Sequence, residues 1–398
     1  MKVLVLSHMY PSTFNEVAGI FVHEQVKALI EKGVEVRVVS PTPWSPFPIN
    51  CLKRKWRKYS QIPYYYEWEG VNVFYPRHLA FPRALFFANS GKMMHRWIVR
   101  MIKNIYEEFP FDIIHAHVAL PDGYAGALLA SELKLPLVVT IHGQDLQHTI
   151  HRDNRCKRAL AFVFDHASQI TLVSNKLKRL AEKFFDHSEK LLVIPNGVDA
   201  KKVSNLNSEI TSKYDDTLTL LSVSNLIYTK GIDLNLLAIQ RLCTKYPWLR
   251  YKVIGNGAME NKLKEMTASL GLSHYVEFLG RQPHDRVMKY MAKCDIFTLP
   301  SWEEGFGVVY LEAMAHGKPV IGCRGEGIED FVEHGKTGML VKPRDVDSLV
   351  EALDFLLSHP EEAKAMGERG RKLVLENYTW EKNAEKTLGV YYGVLEEK

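Results

Sequence analysis

The sequence is poor in cysteine and contains no long apolar run. Its five cysteines are scattered over 398 residues, with no pair at CxxC or metal-ligand spacing, so they predict reduced thiols rather than a disulfide framework. No apolar run approaches the roughly 20 residues that span a bilayer. The N-terminus enters a strand pattern directly and lacks a cleavable signal pattern. Together these absences predict a cytoplasmic protein.

The sequence also lacks tandem repeats, low-complexity tracts and a convincing Asp, Glu and His cluster that would hold a metal. Hydrophobic residues make up 46% of the chain and charged residues 24%, which is the composition of a globular protein. A length of 398 residues is enough for two domains, each with its own core.

Acidic residues are scarce in one part of the chain. Residues 36–106, the basic region, contain twelve Lys or Arg but only two acids, Glu67 and Glu69. The basic region therefore carries a charge of about +10, and the remainder of the chain about −5. Such a block is either a surface with a partner or a solvated face with none.

A predicted helix at residues 88–107 lies inside the basic region. It places Arg96, Arg100 and Lys103 on one helix face, next to an apolar stripe formed by Trp97, Met101 and Ile105. One interpretation is that this basic and aromatic surface lies on anionic lipid head groups. The other is that the stripe is ordinary core and the arginines are solvated. Nucleic acid is not an expected partner.

Short apolar runs alternate with helix patterns in both halves of the chain. This rhythm predicts an α/β protein with two doubly wound parallel sheets. Residues 41–66, rich in Pro, Trp and Tyr, interrupt the rhythm, and residues 200–216 are polar and aperiodic. We interpret residues 200–216 as the linker between two domains. The predicted strands are residues 2–7, 34–39, 111–115, 137–141, 170–173, 191–194, 217–223, 251–254, 276–279, 296–299, 320–322 and 338–341.

Residues 300–320 are the most informative stretch. A strand at 296–299 leads into a loop with two acids and two glycines, and a helix pattern over 308–315 follows. A strand, a glycine-rich turn and a helix N-terminus form a site where backbone N–H groups bind phosphate. Glu304 in the loop and Glu312 in the helix flank this site. Because carboxylates accept hydrogen bonds from vicinal hydroxyls but do not neutralise phosphate, the combination favours a sugar nucleotide.

Residues 304–315, Glu-Gly-Phe-Gly-Val-Val-Tyr-Leu-Glu-Ala-Met-Ala, resemble the E-x7-E signature of the retaining GT-B glycosyltransferases (glycosyltransferase family 4). This large family includes sucrose synthase and bacterial mannosyltransferases. Lys230-Gly231, Glu329, Thr337-Gly338 and residues 139–143 and 194–199 match the family as well, so the resemblance covers nearly the whole chain. Residues 115–123 and 325–330 resemble enzymes of teichuronic acid and exopolysaccharide assembly.

The resemblance implies a domain organisation. Two Rossmann-like domains would face a central cleft. Residues 1–198 would form the acceptor-side domain, completed by a C-terminal helix at 379–398, and residues 199–378 the domain that binds the nucleotide-sugar donor.

The resemblance also implies roles for individual residues. Glu312 would bind the nucleotide ribose, Glu304 the hydroxyls of the donor sugar, and Lys230 the diphosphate. His142 would reach the sugar across the cleft, and it forms the expected catalytic set with Lys230 and Glu304. The other expected donor-binding residues are Gly19, Asn225, Arg281 and the backbone amides of Phe306, Gly307 and Val308.

One position departs from the family. An arginine usually precedes the lysine by five residues, and here that position is Asn225. One of the two cations that would stabilise the leaving group is therefore missing from its usual place. Arg324 and Arg281 are the candidates to replace it.

The implied chemistry is glycosyl transfer with retention, without a metal or other cofactor. A lysine and a helix N-terminus stabilise the departing diphosphate, and the leaving phosphate takes the acceptor's proton in a front-face attack. We do not assign Glu304 as a nucleophile, since a partner acid at about 5 Å would be required. The expected substrates are a UDP- or GDP-sugar and a lipid-linked or oligosaccharide acceptor of bacterial surface polysaccharide, at the inner face of the cell membrane.

Two other functions stay open. A UDP-sugar 2-epimerase shares the fold and needs no acceptor, whereas a non-catalytic sugar-nucleotide-binding protein would tolerate the loss of the arginine at position 225. Each site residue also has a structural alternative. Lys230 could be a surface lysine, His142 a buried structural histidine, Glu304 a helix cap and Glu312 a solvated helix residue.

Overall fold

The computed structural model describes residues 1–52, 54–81, 85–209 and 217–396. Contacts divide the chain into two compact units. The first unit consists of residues 1–196 together with the C-terminal residues from Trp380 onward, and the second of residues 197–379.

The first unit is built on an eight-stranded sheet of order β10-β9-β8-β7-β1-β2-β5-β4. Its neighbouring strands are parallel except for β4, which is antiparallel to β5. Central strands such as β8 are buried on both faces and are therefore continuous apolar runs. The strands are β1 (Lys2–Leu6), β2 (Glu35–Val39), β3 (Thr42–Pro43), β4 (Tyr65–Trp68), β5 (Val71–Phe74), β6 (Arg77–His78), β7 (Ile113–His117), β8 (Leu137–Ile141), β9 (Gln169–Leu172) and β10 (Leu191–Val193), with β3 and β6 pairing separately.

Helices connect these strands in the order of the chain. They are α1 (Ile20–Glu31), α2 (Ile49–Leu52), α3 (Arg54–Gln61), α4 (Ser90–Glu108), α5 (Tyr124–Leu133), α6 (Gln144–Gln147), α7 (Asn154–His166) and α8 (Asn175–Glu182). Side-chain caps fix some of their starts. The Asp153 carboxylate, for example, accepts a hydrogen bond from the Cys156 N–H at 2.7 Å and begins α7.

The second unit contains a six-stranded parallel sheet of order β13-β12-β11-β14-β15-β16. This order reverses between β11 and β14, as in a doubly wound nucleotide-binding fold. The strands are β11 (Leu218–Val223), β12 (Leu249–Ile254), β13 (Val276–Gly280), β14 (Ile296–Thr298), β15 (Val320–Cys323) and β16 (Met339–Val341). The helices are α9 (Ala200–Glu209), α10 (Ile232–Leu242), α11 (Glu260–Ser269), α12 (His284–Lys293), α13 (Val308–Ala315), α14 (Val346–Ser358) and α15 (Pro360–Asn377).

The last helix, α16 (Trp380–Glu396), packs into the core of the first unit. Tyr391 is fully buried there, and full burial of one large apolar side chain contributes about 1.5–3 kcal/mol. Polar contacts fix the register of the helix. The Gln25 amide donates to Asn383 Oδ1 at 2.7 Å, and the Asn383 amide donates to the Pro195 carbonyl at 2.8 Å.

The prediction of two doubly wound α/β sheets is confirmed, but the predicted linker at residues 200–216 is wrong in its first part. Residues Ala200–Glu209 form α9, while residues 210–216 lie outside the described residues. The helix starts because the Asp199 carboxylate accepts a hydrogen bond from the Lys202 N–H at 2.9 Å. Val203 is buried and holds the helix to the unit, a contact that polar composition alone did not reveal.

Two further differences concern the basic region. Residues 41–66, whose composition indicated only an interruption, contain β3, α2, α3 and the start of β4. Strands β5 and β6, which follow, were not among the predicted strands. The predicted apolar stripe on α4 is also not uniform, because Ile105 is buried whereas Trp97 is 43% exposed. The buried face of α4 instead runs through Gly91, Met94, Ile98, Ile102 and Ile105. Among the described helices, none is both long and apolar enough to cross a membrane.

Candidate active site

The reversal of strand order in the second unit lies between β11 and β14. The loops that follow these two strands leave the sheet in opposite directions, and such a point is where open α/β sheets bind ligands. Lys230 lies on the loop after β11, and Glu304 lies on the loop after β14. The topology therefore brings together two residues that are 74 positions apart in the sequence.

Lys230 and Glu304 form an ion pair. The Lys230 ammonium donates a hydrogen bond to Glu304 Oε2 at 2.6 Å, and the side chains are 16% and 17% exposed. The two loops are also joined through the backbone, since the Trp302 N–H donates to the Thr229 carbonyl at 3.1 Å. Lys230 is therefore a positioned cation rather than a free surface lysine.

A buried acid that the sequence reading did not select, Glu326, holds the Glu304 loop. Glu326 Oε2 accepts a hydrogen bond from the Glu304 N–H at 2.5 Å, and the Gly327 N–H donates to the Glu304 carbonyl at 3.3 Å. Only glycine fits at position 327, because a Cβ there would lie 2.2 Å from the Gly305 carbonyl oxygen. A glycine-flanked acid in the loop after a buried strand was the signal in the sequence.

The N-terminus of α13 lies beside the ion pair. Gly307 caps the helix in the left-handed conformation, with φ 93°, and the first N–H groups of a helix have no intrahelical partner. The backbone at Phe306 is fixed by the buried ring, which contacts Phe331 edge to face at 5.2 Å. The backbone amides of Phe306, Gly307 and Val308 thus start a helix at the carboxyl end of β14, as a phosphate site requires.

Glu312 lies farther along α13, and its partner is a histidine. His284, the first residue of α12, donates from Nε2 to Glu312 Oε1 at 2.9 Å. This hydrogen bond raises the pKa of His284, although burial opposes the shift. The Glu312 side chain is only 18% exposed, which does not fit the alternative of a solvated helix residue.

The two remaining predicted residues of this unit lie at the same edge of the sheet. Asn225 is exposed in the turn after β11, and Arg281 is exposed in the turn after β13. Parallel strands bring all their carboxyl ends to one edge. Lys230 and Glu304 are in direct contact, whereas the roles of Asn225 and Arg281 stay predictions. Arg324 is exposed after β15, where its N–H donates to the Val341 carbonyl at 2.9 Å.

His142 follows β8 in the first unit. Its ring stacks on His117, with centroids 5.3 Å apart and planes within 13°, and it also contacts Phe21 at 4.5 Å. His142 Nε2 and His117 Nδ1 are 3.1 Å apart. Burial lowers the pKa of His142 to about 3, so the imidazole is neutral at physiological pH.

The stack continues into β7. His115 stacks on His117 at 4.5 Å, its Nδ1 is 2.6 Å from the Tyr391 hydroxyl, and its Nε2 is 2.7 Å from Thr140 Oγ1. Burial lowers the pKa of His115 to about 3, and repulsion from His142 when that ring is also protonated is the second cause. The His115-His117-His142 stack therefore consists of neutral rings anchored on the C-terminal helix.

Gly19 ends the loop between β1 and α1. Its φ is 63°, and a Cβ at this position would lie 1.5 Å from the Met9 carbonyl oxygen. The start of the loop therefore folds directly onto its end, and any larger residue would separate the two. This packing accounts for the glycine whether or not a ligand approaches it.

The sequence reading did not select a polar pair in the first unit, which joins the fully buried Asp122 to the partly exposed His8. Asp122 Oδ2 lies 2.7 Å from His8 Nδ1, and both Asp122 oxygens accept from the His8 N–H at 3.1 Å. The two residues follow β1 and β7, the strands between which the strand order of this sheet reverses. Asp145 accepts backbone hydrogen bonds from Ala119 and Leu120, and burial raises its pKa to about 6. Polar residues in the loops after buried strands were the available signal.

Within the part of the chain that the structure describes, no three His, Cys, Asp or Glu side chains are grouped so that they would hold a metal ion.

Comparisons with known proteins agree with this arrangement. The model of the family described as Glycosyltransferase Family 4 matches residues 18–202, and that of Glycosyl transferases group 1 matches residues 203–373. A putative teichuronic acid biosynthesis glycosyltransferase of Bacillus subtilis is 30% identical over 361 residues, which cover 89% of this chain and 88% of that protein. The chain belongs to the family 4 glycosyltransferases.

Two further likenesses extend this result. An uncharacterized glycosyltransferase of Methanocaldococcus jannaschii is 33% identical to this glycosyltransferase over 282 residues, covering 70% of this chain and 75% of the other. The structure of sucrose-phosphate synthase from Thermosynechococcus elongatus matches with a TM-score of 0.80 at 20% identity, over 100% of both chains. The fold of this glycosyltransferase is therefore GT-B, and its relatives include enzymes of polysaccharide biosynthesis.

Proposed function

We propose that this glycosyltransferase transfers a hexosyl or N-acetylhexosaminyl group, with retention, from a UDP- or GDP-sugar to a lipid-linked or glycan acceptor. The product belongs to a bacterial surface polysaccharide, and the reaction needs no metal ion. The observation that carries the proposal is the ion pair of Lys230 and Glu304 beside the N-terminus of α13. It combines a cation and backbone donors for a diphosphate with a carboxylate for sugar hydroxyls.

Lys230 stabilises the leaving group in this mechanism. Its ammonium exchanges Glu304 for a phosphate oxygen when the donor binds, and it then lies where negative charge grows as the bond from the sugar C1 to the phosphate oxygen breaks. The N–H groups at Phe306, Gly307 and Val308 add the partial positive charge of the helix N-terminus. Such preorganised donors are worth about 10²–10³ in turnover when one is removed.

The transfer step needs no nucleophile from the enzyme. The acceptor hydroxyl forms a bond to C1 on the face that the phosphate leaves, and its proton passes to the departing phosphate oxygen. Glu304, released by Lys230, accepts hydrogen bonds from the sugar hydroxyls. His142 is assigned to the sugar as a neutral hydrogen-bonding group, in keeping with its low pKa.

Nucleotide recognition is assigned to Glu312. A half-buried carboxylate that already accepts a hydrogen bond from His284 has the chemistry to accept two from a ribose diol. Asn225 and Arg281, exposed at the same edge of the sheet, are assigned to the base and diphosphate side of the donor, and Gly19 to the diphosphate.

The basic region supports the assignment of a membrane-associated acceptor. Helix α3 carries Arg54, Lys55, Arg57 and Lys58 with no acidic residue, whereas Lys53 lies outside the described residues. The basic region also has exposed aromatic side chains, among them Trp44 and Trp97, whose ring centroids are 5.4 Å apart. We propose that this surface associates peripherally with the anionic inner face of the cell membrane. The teichuronic acid relative also favours an acceptor of the cell surface.

The test is a donor screen followed by product analysis. The protein is incubated with labelled UDP- and GDP-sugars, with and without a bacterial lipid extract, and the products are separated by chromatography. Transfer of label to a lipid or glycan with retained anomeric configuration supports the proposal, and full activity in EDTA supports metal independence. Conversion of UDP-N-acetylglucosamine alone to an epimer would instead favour the 2-epimerase. Donor binding without any conversion would favour the non-catalytic alternative.

A further inference from the structure

The loop between β14 and α13 is held at one residue by two hydrogen bonds. The Glu304 N–H donates to Glu326 Oε2 at 2.5 Å, and the Glu304 carbonyl accepts from the Gly327 N–H at 3.3 Å. Both partners belong to the segment that follows β15. Two consecutive residues of a neighbouring loop therefore fix the backbone of the residue whose carboxylate is paired with Lys230.

Glu326 is buried although it carries a carboxyl group. Only 7% of the residue is exposed, and burial of a carboxylate costs free energy that hydrogen bonds must offset. A second carboxylate beside Glu304 also repels an anionic donor, so Glu326 is not suited to bind a diphosphate itself. What it supplies is a hydrogen-bond acceptor for the backbone of the Glu304 loop.

The backbones of the two loops are already in contact. A Cβ at position 327 would lie 2.2 Å from the Gly305 carbonyl oxygen and 2.7 Å from the Phe306 Cα. Since the loops cannot move closer together, the distance that the side chain of residue 326 must span is fixed. Glutamate spans it and glutamine has the same length, whereas aspartate is shorter by one C–C bond, about 1.5 Å.

Other contacts hold the residues that start α13. The Phe306 ring packs edge to face on Phe331, with centroids 5.2 Å apart. The Tyr310 ring lies so close to Gly307 that a Cβ added there would be 2.6 Å from it. The amides at the start of the helix are therefore positioned by contacts that do not involve the Glu326 carboxylate.

We infer, resting on the transferase function proposed above, that Glu326 is a positioning residue for the donor sugar. It acts through Glu304, whose carboxylate exchanges Lys230 for the sugar hydroxyls when the donor binds. Loss of the hydrogen bond from Glu326 should displace Glu304 and leave the start of α13 in place. The sugar should then be bound less tightly, and the nucleoside diphosphate as tightly as before.

The test compares a sugar nucleotide with its nucleoside diphosphate in the absence of acceptor. Calorimetry measures the affinities for UDP-N-acetylglucosamine and UDP, and for GDP-mannose and GDP, and the ratio within each pair is the contribution of the sugar. Glu326→Asp keeps the charge but not the reach, and Glu326→Met keeps the length but not the acceptor. Each should lower the sugar contribution by about tenfold, the effect of one hydrogen bond to a charged group. The affinity for the nucleoside diphosphate should stay within twofold of the wild type.

Glu326→Gln separates reach from charge. It keeps the length and the acceptor oxygen, so the sugar contribution should stay within threefold of the wild type. The control Glu333→Asp shortens an exposed acid of the same segment and should change neither affinity. If Glu326→Gln were as damaging as Glu326→Asp, the charge and not the position would matter. If both affinities fell in parallel, Glu326 would support the fold in general. Either result would overturn the inference.

A double variant tests whether Glu326 acts through Glu304. Glu304→Gln should itself lower the sugar contribution, and the addition of Glu326→Asp should change it by less than twofold. Two residues that act through one contact are not additive. Additive losses would therefore show that Glu326 acts by another route and would overturn the inference.

Hydrogen exchange of the Glu304 amide, followed by NMR without any ligand, tests the contact itself. The amide should exchange at least tenfold faster in Glu326→Asp and Glu326→Met than in the wild type and Glu326→Gln, and equal rates would overturn the inference. If the sugar contributed nothing to binding in the wild type, the assignment of Glu304 to the sugar and the role of Glu326 would both be wrong. A sugar contribution that is lost in Glu304→Gln but kept in Glu326→Asp would overturn the role of Glu326 alone and leave the proposed function intact.

Discussion

The two units place polar side chains at equivalent points of their sheets but in different electrostatic environments. In the first unit, the half-buried His142 extends the stack of neutral rings formed by the buried His115 and His117. In the second, Lys230 and Glu304 form a charged pair with about one sixth of each side chain exposed.

This difference indicates what each unit can do for a reaction. Both side chains are mostly shielded from solvent, so Lys230 can release Glu304 only to a ligand that supplies a negative charge in its place. A buried neutral stack cannot gain charge without a large desolvation cost, but it fixes the position of His142. The second unit is therefore suited to supply charge, and the first to supply a fixed, uncharged surface.

Removal of the Lys230 charge in the second unit should have the largest effect of the predicted changes, and it should act on turnover. Lys230→Ala should lower kcat by about 10²–10³, because the leaving diphosphate loses a preorganised cation. Steady-state kinetics with the donor identified in the screen measures this, and circular dichroism checks the fold. Lys264→Ala removes a lysine from an exposed pair of similar length, 2.7 Å, with Glu260, and should leave kcat within twofold. If the two variants were equally active, Lys230 would have no catalytic role.

A single methyl group added to the first loop should destabilise the first unit. Gly19→Ala should lower the free energy of unfolding by about 2–4 kcal/mol, since the Cβ overlaps the Met9 carbonyl and the φ of 63° is unfavourable for alanine. Urea unfolding measures the change. Gly389→Ala is the control. Among the described residues, no atom beyond its chain neighbours and the backbone of its own helix lies within 4 Å of the added Cβ, so alanine should stabilise α16 by about 0.5–1 kcal/mol. If Gly19→Ala left the free energy of unfolding unchanged, the close approach of Gly19 to the Met9 carbonyl would not be required for the fold of the loop.

The fold class was predictable because the period of apolar runs is a local property of the chain. The buried run 137–141 was predicted with the bounds of β8, and residues 304–315 indicated the loop and helix that contain Glu304 and Gly307. Helix α9 was missed because its start depends on one cap at Asp199 and one buried side chain, Val203, within an otherwise polar segment.

The partners of the site residues could not be predicted, since they are set by the order of the strands. Lys230 and Glu304 meet only because β11 and β14 are neighbours, and His284 meets Glu312 only because α12 and α13 pack together. No spacing in the sequence carries that information. The position of Glu326, an acid between glycines after a strand, could have been noticed in the sequence. Its hydrogen bond to the Glu304 N–H could not have been predicted.

Acid should weaken the first unit through its histidine stack. Burial lowers the pKa values of His115, His117 and His142. The unfolded chain therefore binds protons below pH 6.5 that the folded chain does not, and stability falls as the pH decreases below 6.5. Each histidine adds up to about 1.4 kcal/mol per pH unit to this slope. Urea unfolding at pH 7, 6 and 5 measures it.

A variant separates the stack from the other acid-sensitive groups. His117→Phe keeps a stacked ring but removes one titrating group. The free energy of unfolding should therefore change less steeply with pH, by up to about 1.4 kcal/mol per pH unit. The exposed His166 is the control, and His166→Gln should leave the slope unchanged. A slope in His117→Phe equal to that of the wild type would mean that the stack does not set the acid sensitivity.

The smallest predicted effect concerns His284. Its contribution to stability changes with pH in the opposite direction to that of the histidine stack. Its hydrogen bond to Glu312 raises the pKa of His284 in the folded state, so its contribution to stability is complete below pH 6.5 and is lost as the pH rises through the folded value. Glu312→Gln should lower the pKa of His284 in an NMR titration, and Glu277→Gln, on β13 of the same unit, should not change it.

Saturation with UDP or GDP should have the same effect as Glu312→Gln, because a ribose that binds Glu312 displaces His284. A pKa of His284 that is unchanged by either nucleotide, when binding is independently measured, would contradict the assignment of Glu312 to the ribose and leave its carboxylate a partner of His284 alone.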